Sequence, residues 1–297
     1  MPSDVCDPPR VSVVVPVLDG AGQLPALLDA LAAQSGAPPF EVIVVDNGSR
    51  DATVTRALAH PLGPRVVEER RRGSYAARNA GIAAARGAIL AFTDADCTPS
   101  PRWLAAGVEA LAHADLVGGA IRQVRSAHPT IWEAYDAATY LDQASLVADQ
   151  GVAATANLFV RRSVFDAVGG FDARLRSSGD FELTRRAVAS GLRISYAPDS
   201  LVDHATRTTM RSTLRLHRRL GRGWAELARL GGRPPAWRDG AMWIRFGWVA
   251  GDVARSGSRI RRRHLLPVHS LVMAARWVGR LQGWGAGLRP GGSRGTG

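Results

Sequence analysis

Short continuous runs of apolar residues punctuate the first part of the chain. Val11–Val17 (VSVVVPV) and Glu41–Asp46 (EVIVVD) are β-branched and uninterrupted, the pattern of strands buried on both faces. Arg65–Glu69 and Ala88–Thr93 (AILAFT) read as a third and a fourth strand. Between them the apolar spacing turns helical at Leu24–Ala33, Ser49–Ala59, Ser74–Arg86 and Trp103–Ala112, with Gly87 as a stop signal. Strands and helices alternating at this spacing predict βα units in a parallel, doubly wound sheet. Ligands of such sheets bind beyond the carboxyl ends of the strands. Asp46 and the pair Asp94/Asp96 stand at two of those ends.

After about residue 115 the rhythm changes. Leu116–Gln123 and Ala153–Val160 read as strands, Pro129–Ala148 as one helix and Ser163–Val168 as a short one. Gly169-Gly170 is a break, Phe181–Ala189 a helix and Arg193–Tyr196 a strand. From Thr209 onward the pattern is helical throughout, and Met242, Trp243, Phe246, Val249, Ala250 and Val253 share one face of a helical wheel. The predicted organisation is a loose tail over 1–10, an α/β domain over 11–208, a basic, Trp-rich helical extension over 209–285, and a disordered tail over 286–297 rich in Gly and Arg.

Charge sharpens this division. All 38 basic residues are arginine, against 26 acidic ones. From residue 205 to the end stand 19 arginines and three acids, a net +16, whereas the preceding part holds 19 arginines and 23 acids, a net −4. A basic third of this kind attracts phosphate, whether in anionic lipid, nucleic acid or a phosphorylated substrate. The two cysteines, Cys6 and Cys97, make no disulfide framework and fit a reducing cytoplasm. No charged leader precedes an apolar run, and no stretch reaches the length of a spanning helix.

The sharpest chemical signal is TDAD, Thr93–Asp96. Two carboxylates one residue apart at a strand end suit a hard divalent cation, Mg²⁺ or Mn²⁺, bridged to a diphosphate. Taken by itself, Asp-x-Asp also fits a solvated turn. It does not stand by itself. VSVVVPV, VIVVDNGSRD, GSYAARNAGIAAARG and ILAFTDAD occur in that order, followed by NLFVRRSVFDAVGGFD, SSGDFELTRRAVASG and YAPDSLVDH. Over about residues 10–215 this series resembles the family 2 glycosyltransferases.

The resemblance implies a GT-A fold, an α/β nucleotide-sugar-binding sheet flanked by helices, and inverting transfer from a nucleotide-sugar, a UDP-sugar by default. It implies that Pro16 and Val17 end the first strand beside base and ribose, and that Asp46 bonds the nucleobase. The alternative for Asp46 is a turn or helix-cap aspartate, a role that suits Asp51 better. Arg78 matches a position near the nucleotide, or is a solvent-facing helix arginine; Asn79 is expected to brace the DAD loop. Asp94 is expected to face the ribose and Asp96 the metal. Asp180 matches the general base that takes the acceptor's proton, against a competing role as cap of the following helix. The family usually carries Glu-Asp at this place; here it is Gly179-Asp180, with Glu182 as an acceptor-side or helix-start partner. His204 matches a histidine near metal or diphosphate, or is a core or surface histidine, and Arg207 beside it could meet phosphate. Asn157 matches a strand on the acceptor side, or simply packs. Asp19-Gly20 departs from an Asn-Glu pair common in the family.

The C-terminal third admits three readings. Arg259–Arg263 (RIRRR), the Trp-bearing stretch and Leu265–Val278 suit the surface of an anionic membrane, placing the enzyme at the inner face of the cell membrane with a lipid-linked or cell-envelope glycan acceptor. Packing of the aromatics on the catalytic domain is the second reading. Nucleic acid is disfavoured, because charge alone gives only salt-sensitive binding. Two other functions share the sheet, a nucleotidyltransferase and a non-catalytic sugar-nucleotide scaffold. The first lacks a basic Gly-rich loop after the first strand, where the chain has Asp19-Gly20-Ala21-Gly22.

Overall fold

A computed structural model describes residues 9–231 and 262–285. The helical face expected over 242–253, most of the RIRRR run and the expected C-terminal tail lie outside the described residues. The described chain forms two units: one of 9–124, 141–174 and 179–205, the other of 125–140, 175–178, 206–231 and 262–285.

The first unit is an eight-stranded sheet with helices on its faces. In chain order come β1 (Val11–Val17), α1 (Leu24–Ala32), β2 (Phe40–Asp46), α2 (Thr53–Leu58), β3 (Arg65–Glu68), α3 (Ser74–Ala84), β4 (Ile89–Thr93), β5 (Cys97–Pro99) and α4 (Trp103–Ala110). Then follow β6 (Leu116–Val124), α5 (Ile131–Thr139), α6 (Gln143–Gln150), β7 (Asn157–Arg161), α7 (Arg162–Val168), α8 (Gly179–Ala189) and β8 (Ile194–Ala205). Of these, α5 belongs to the second unit, with α9 (Met210–Arg229) and α10 (Arg262–Gly285).

The sheet order is β3-β2-β1-β4-β7-β6-β8-β5. β1, β2, β3 and β4 pair in parallel, as the βα rhythm predicts. β7 then runs antiparallel to both β4 and β6, so the sheet is mixed rather than parallel throughout. The reason is connectivity: from β4 onward the chain no longer returns through one crossover helix per strand. Val11, Val13, Val15 and Val17 of β1 and Val42 and Val44 of β2 join Leu24, Leu27, Leu28 and Trp103 in the main core. Gly81 lets α3 lie close on the sheet, since a Cβ there would stand 2.3 Å from Val14 Cγ1.

Three local expectations are revised. The helix expected over Pro129–Ala148 is two helices, broken at Leu141, which adopts φ 55. A β-branched-poor segment, Cys97–Pro99, forms a short strand by pairing antiparallel with β8, which fixes it through tertiary contact. β8 itself runs on from Ile194 to Ala205 past Pro198, with a register irregularity opposite Gly119/Ala120.

In the second unit, Tyr135 of α5 packs with Leu265, Val268 and Val272 of α10, with Leu214 of α9 beside them. Thr130 and Glu133 form a capping box that starts α5. Glycines bring α9 and α10 together: a Cβ on Gly221 or Gly279 would run into the other helix's backbone.

Candidate active site

The parallel half of the sheet puts its carboxyl ends side by side. Val17, the last residue of β1, is in register with Asp46, the last of β2. Pro16 costs the sheet no hydrogen bond on its β4 side, because β1–β4 pairing stops at Val14↔Phe92. Asp46 is buried and accepts the amides of Gly48 at 3.2 Å and of Ser49 at 3.2 Å, a turn that turns the chain away from the strand. Asn47 beside it was not singled out in the sequence. Its amide donates to Glu69 O and Arg71 O and accepts from Gly73 N, so it holds the loop that leads into α3. Asp51 ties the same edge: it accepts the amides of Ala21 and Thr53, with Ala52 rather than Asp51 at the N-cap of α2.

β4 ends at Thr93, and the DAD turn follows. Asp94 O accepts Cys97 N at 3.0 Å, which closes the turn. The Asp94 carboxylate pairs with Arg78 Nη2 at 2.6 Å, and Arg78 is 4% exposed, so the solvent-facing reading of this arginine is excluded. Asn79 does not brace the DAD loop. It donates to Phe171 O and accepts from Phe171 N, pinning the segment after Gly169-Gly170 to α3, because its side chain leaves the helix away from Arg78.

Asp96 is exposed, yet its carboxylate shares a cluster with Cys97 and His204, whose ligand atoms all lie within 4.8 Å of one another. The register explains this: β5 and β8 pair Cys97 with His204. His204 is buried. Burial, with the charges of Asp94 and Asp96, pushes the Cys97 thiol well above its usual pKa. Cys97 is the one free cysteine among the described residues. Its place in DADC was its only sequence signal.

Asp180 lies in the first turn of α8. Its Oδ1 accepts from Tyr75 Oη at 3.2 Å and Phe181 N at 3.0 Å, and its Oδ2 from Thr155 N at 3.3 Å. Burial raises its pKa above the ordinary aspartate value, and the Arg78 charge and these donors pull the other way. Arg78 also stands over the Tyr75 ring, 5.5 Å from its centroid. A chain of contacts thus runs Asp94–Arg78–Tyr75–Asp180.

Two expected acceptor-side residues have their side chains engaged by other groups of the chain. Asn157 is fully buried, accepting from Trp103 Nε1 and donating to Ala120 O and Ser200 O at 2.8 Å each, so its amide is spent on bracing the sheet. Glu182 is engaged with Arg186 four residues on, at 2.8 Å, and Arg186 in turn bonds Val168 O and Gly170 O. Arg207, expected to meet phosphate, bonds the fully buried Asp136 and lies over the Tyr140 ring, all within the helical unit.

Residues 12–169 match the family described as Glycosyl transferase family 2. The chain belongs to this family. It is a glycosyltransferase, and the nucleotidyltransferase and scaffold readings give way. It is similar to a glycosyltransferase, AglE, of Haloferax volcanii, with 39% identity over 206 residues that cover 67% of this chain and 68% of that protein. It is also similar to a pre-mycofactocin glycosyltransferase of Mycobacterium tuberculosis, with 31% identity over 68% of this chain and 44% of that protein. Its fold is similar to that of the mannosyltransferase PcManGT from Pyrobaculum calidifontis, solved with GDP-Man and Mn²⁺. The TM-score is 0.64 at 22% identity, over 93% of this chain and 87% of that one. The family accordingly has a GT-A-type sheet here, mixed and flanked by helices.

Proposed function

We propose that the chain is a metal-assisted inverting transferase that moves a sugar from a nucleotide-sugar to an acceptor hydroxyl. The contact chain from Asp94 through Arg78 and Tyr75 to Asp180 carries this reading, because it ties a donor-side carboxylate to a base-side one. Val17 and Asp46, side by side at the strand ends, are assigned to the base and ribose, and Asp94 to the ribose with Arg78 orienting it.

Mg²⁺ or Mn²⁺ fits the cluster beside them. One carboxylate and one imidazole within 4.8 Å are spaced to share a cation, and both accept a hard or borderline one. Asp96 and His204 would hold it, beside the Cys97 thiol. A bound divalent cation supplies neutralisation of the charge on a departing nucleotide diphosphate. The remaining work falls to Asp180, which takes the acceptor's proton as the hydroxyl attacks. Its raised pKa makes it a better base than an exposed aspartate, and the same shift sets the acid limit of activity.

The exposed surface of the helical unit supports a peripheral contact with an anionic membrane, where a lipid-linked acceptor would lie. Eleven residues of α10 from Leu265 onward are exposed, among them Leu266, Leu271, Trp277, Val278, Leu281 and Trp284, and none of the eleven is charged. On α9 the exposed residues after Met210 are Arg211, Arg215, Arg218, Arg219 and Arg229. Arg218 donates to Gln282 of α10 at 2.8 Å, so the arginine row borders the apolar one. An apolar stripe edged by guanidinium groups suits an anionic bilayer, with rings at the headgroup boundary and arginines on the phosphates. No described helix is long and apolar enough to cross a membrane, so the contact would be peripheral.

The test is release of nucleoside diphosphate from a panel of UDP- and GDP-sugars with Mn²⁺ or Mg²⁺. Release that needs the metal and disappears in Asp96→Ala supports the reading. Full release without metal contradicts it.

A further inference from the structure

Position 179 has no room for a side chain. A Cβ on Gly179 would stand 2.7 Å from Tyr75 Cε2, 2.8 Å from Cδ2 and 2.9 Å from Cζ. The obstacle is a ring, not the mobile end of a flexible chain. Tyr75 is 5% exposed and stacks on Phe171 with centroids 5.6 Å apart and planes 20° apart. The Arg78 guanidinium lies over the same ring, and Arg78 is itself fixed by Asp94. Glycine at 179 leaves this space to the Tyr75 ring of α3.

The two oxygens of Asp180 are not equivalent. Oδ1 accepts from both Tyr75 Oη and Phe181 N, which uses its two lone pairs. Oδ2 accepts the Thr155 amide at 3.3 Å and, among the described hydrogen bonds, nothing else. The groups that face Asp180 with charge or a titratable proton are Tyr75 and Arg78, both on α3.

The geometry points to Tyr75 as the positioning residue of the base: its ring fills the space beside Gly179, and its hydroxyl holds Asp180 so that Oδ2 receives the acceptor's proton. This rests on Asp180 being the base. In the step, the acceptor O–H bond breaks and its proton goes to Oδ2. The acceptor oxygen bonds the anomeric carbon as the carbon–oxygen bond to the diphosphate breaks, and that electron pair leaves with the nucleoside diphosphate. Asp180 returns the proton to water afterwards.

Tyr75→Phe keeps the ring and removes the hydrogen bond. With unfolding temperature as a check on folding, the variant should lose about tenfold or more in kcat, the size of one hydrogen bond to a charged group. Donor KM should stay within about twofold, since uniform binding is untouched. The acid limb of the kcat/KM profile should move to higher pH, because the lost bond favoured the carboxylate. A variant with wild-type kcat and an unmoved acid limb overturns the positioning role. Gly179→Ala should lose transfer or fold, and Tyr75→Ala in the same chain should recover part of what was lost; a fully active Gly179→Ala overturns the steric pairing. Asp180→Asn separates the two ideas. If it keeps full transfer, the base reading fails; if it is inactive while Tyr75→Phe is unchanged, only this inference fails.

Discussion

Arg78 is the residue on which most of the site's electrostatics converge. It is buried, bonds Asp94, covers the Tyr75 ring and lowers the pKa of Asp180. Lysine would keep the charge but not the planar fork that spans these partners. Arg78→Lys is therefore expected to raise donor KM by roughly tenfold, with the acid limb of activity little moved because the charge is kept, and with a smaller effect on unfolding temperature. Steady-state kinetics against thermal unfolding separates the two. Asn79, one position on, has a different assignment. Its paired hydrogen bonds to Phe171 fasten a loop, so Asn79→Ala should cost about 1–3 kcal/mol of stability, measured by denaturant unfolding, with donor KM unchanged.

At the level of elements, the strands of the donor half were legible because their signal is local. VSVVVPV and EVIVVD cannot be buried on one face only, and β1 and β2 lie where those runs stand. The antiparallel insertion of β7 was not legible, because register and direction depend on which edge the chain returns to. The break at Leu141 was hidden for a related reason: no glycine or proline marks it, and φ 55 there is held by the surrounding fold. The site divides in the same way. Asp46, Asp94, Asp96 and Asp180 are legible as candidates through ordered motifs, whereas the Tyr75–Asp180 contact joins residues 105 apart and leaves no periodicity to read. For Asn157 the two readings stay equally open in the sequence, because a strand asparagine looks alike whether it faces a substrate or, as its side chain does here, a buried indole. In α9 and α10, sequence gave charge and aromatics but not which face they share. Trp277→Glu with Leu281→Glu should reduce sedimentation with phosphatidylglycerol vesicles by about tenfold or more, because two apolar anchors are lost. Equal binding by that variant and the wild type would remove α10 from the membrane contact.

On the scale of the whole molecule, pH acts on the two units through different groups. In the helical unit, burial first, and then the charges of Arg276, Arg207 and His269, hold His217 at a pKa of about 2, and burial lowers His269 as well. Both are neutral when folded and gain protons when unfolded below about pH 6.5. Stability is therefore full above that pH and declines as the solution is acidified through it. Unfolding followed by tryptophan fluorescence should show this decline, and His217→Leu should flatten it. In the first unit, the proposed role of Asp180 as base predicts an acid limit of activity above the ordinary aspartate range, because burial raises its pKa. The measurement that bears most directly on the account is metal-dependent nucleoside diphosphate release, compared between the wild type, Asp96→Ala and Asp180→Asn. The account predicts release and transfer by the wild type with Mn²⁺ or Mg²⁺, and a loss of about a hundredfold or more in each variant. Undiminished transfer by Asp180→Asn, or transfer indifferent to both metal and Asp96, would contradict it.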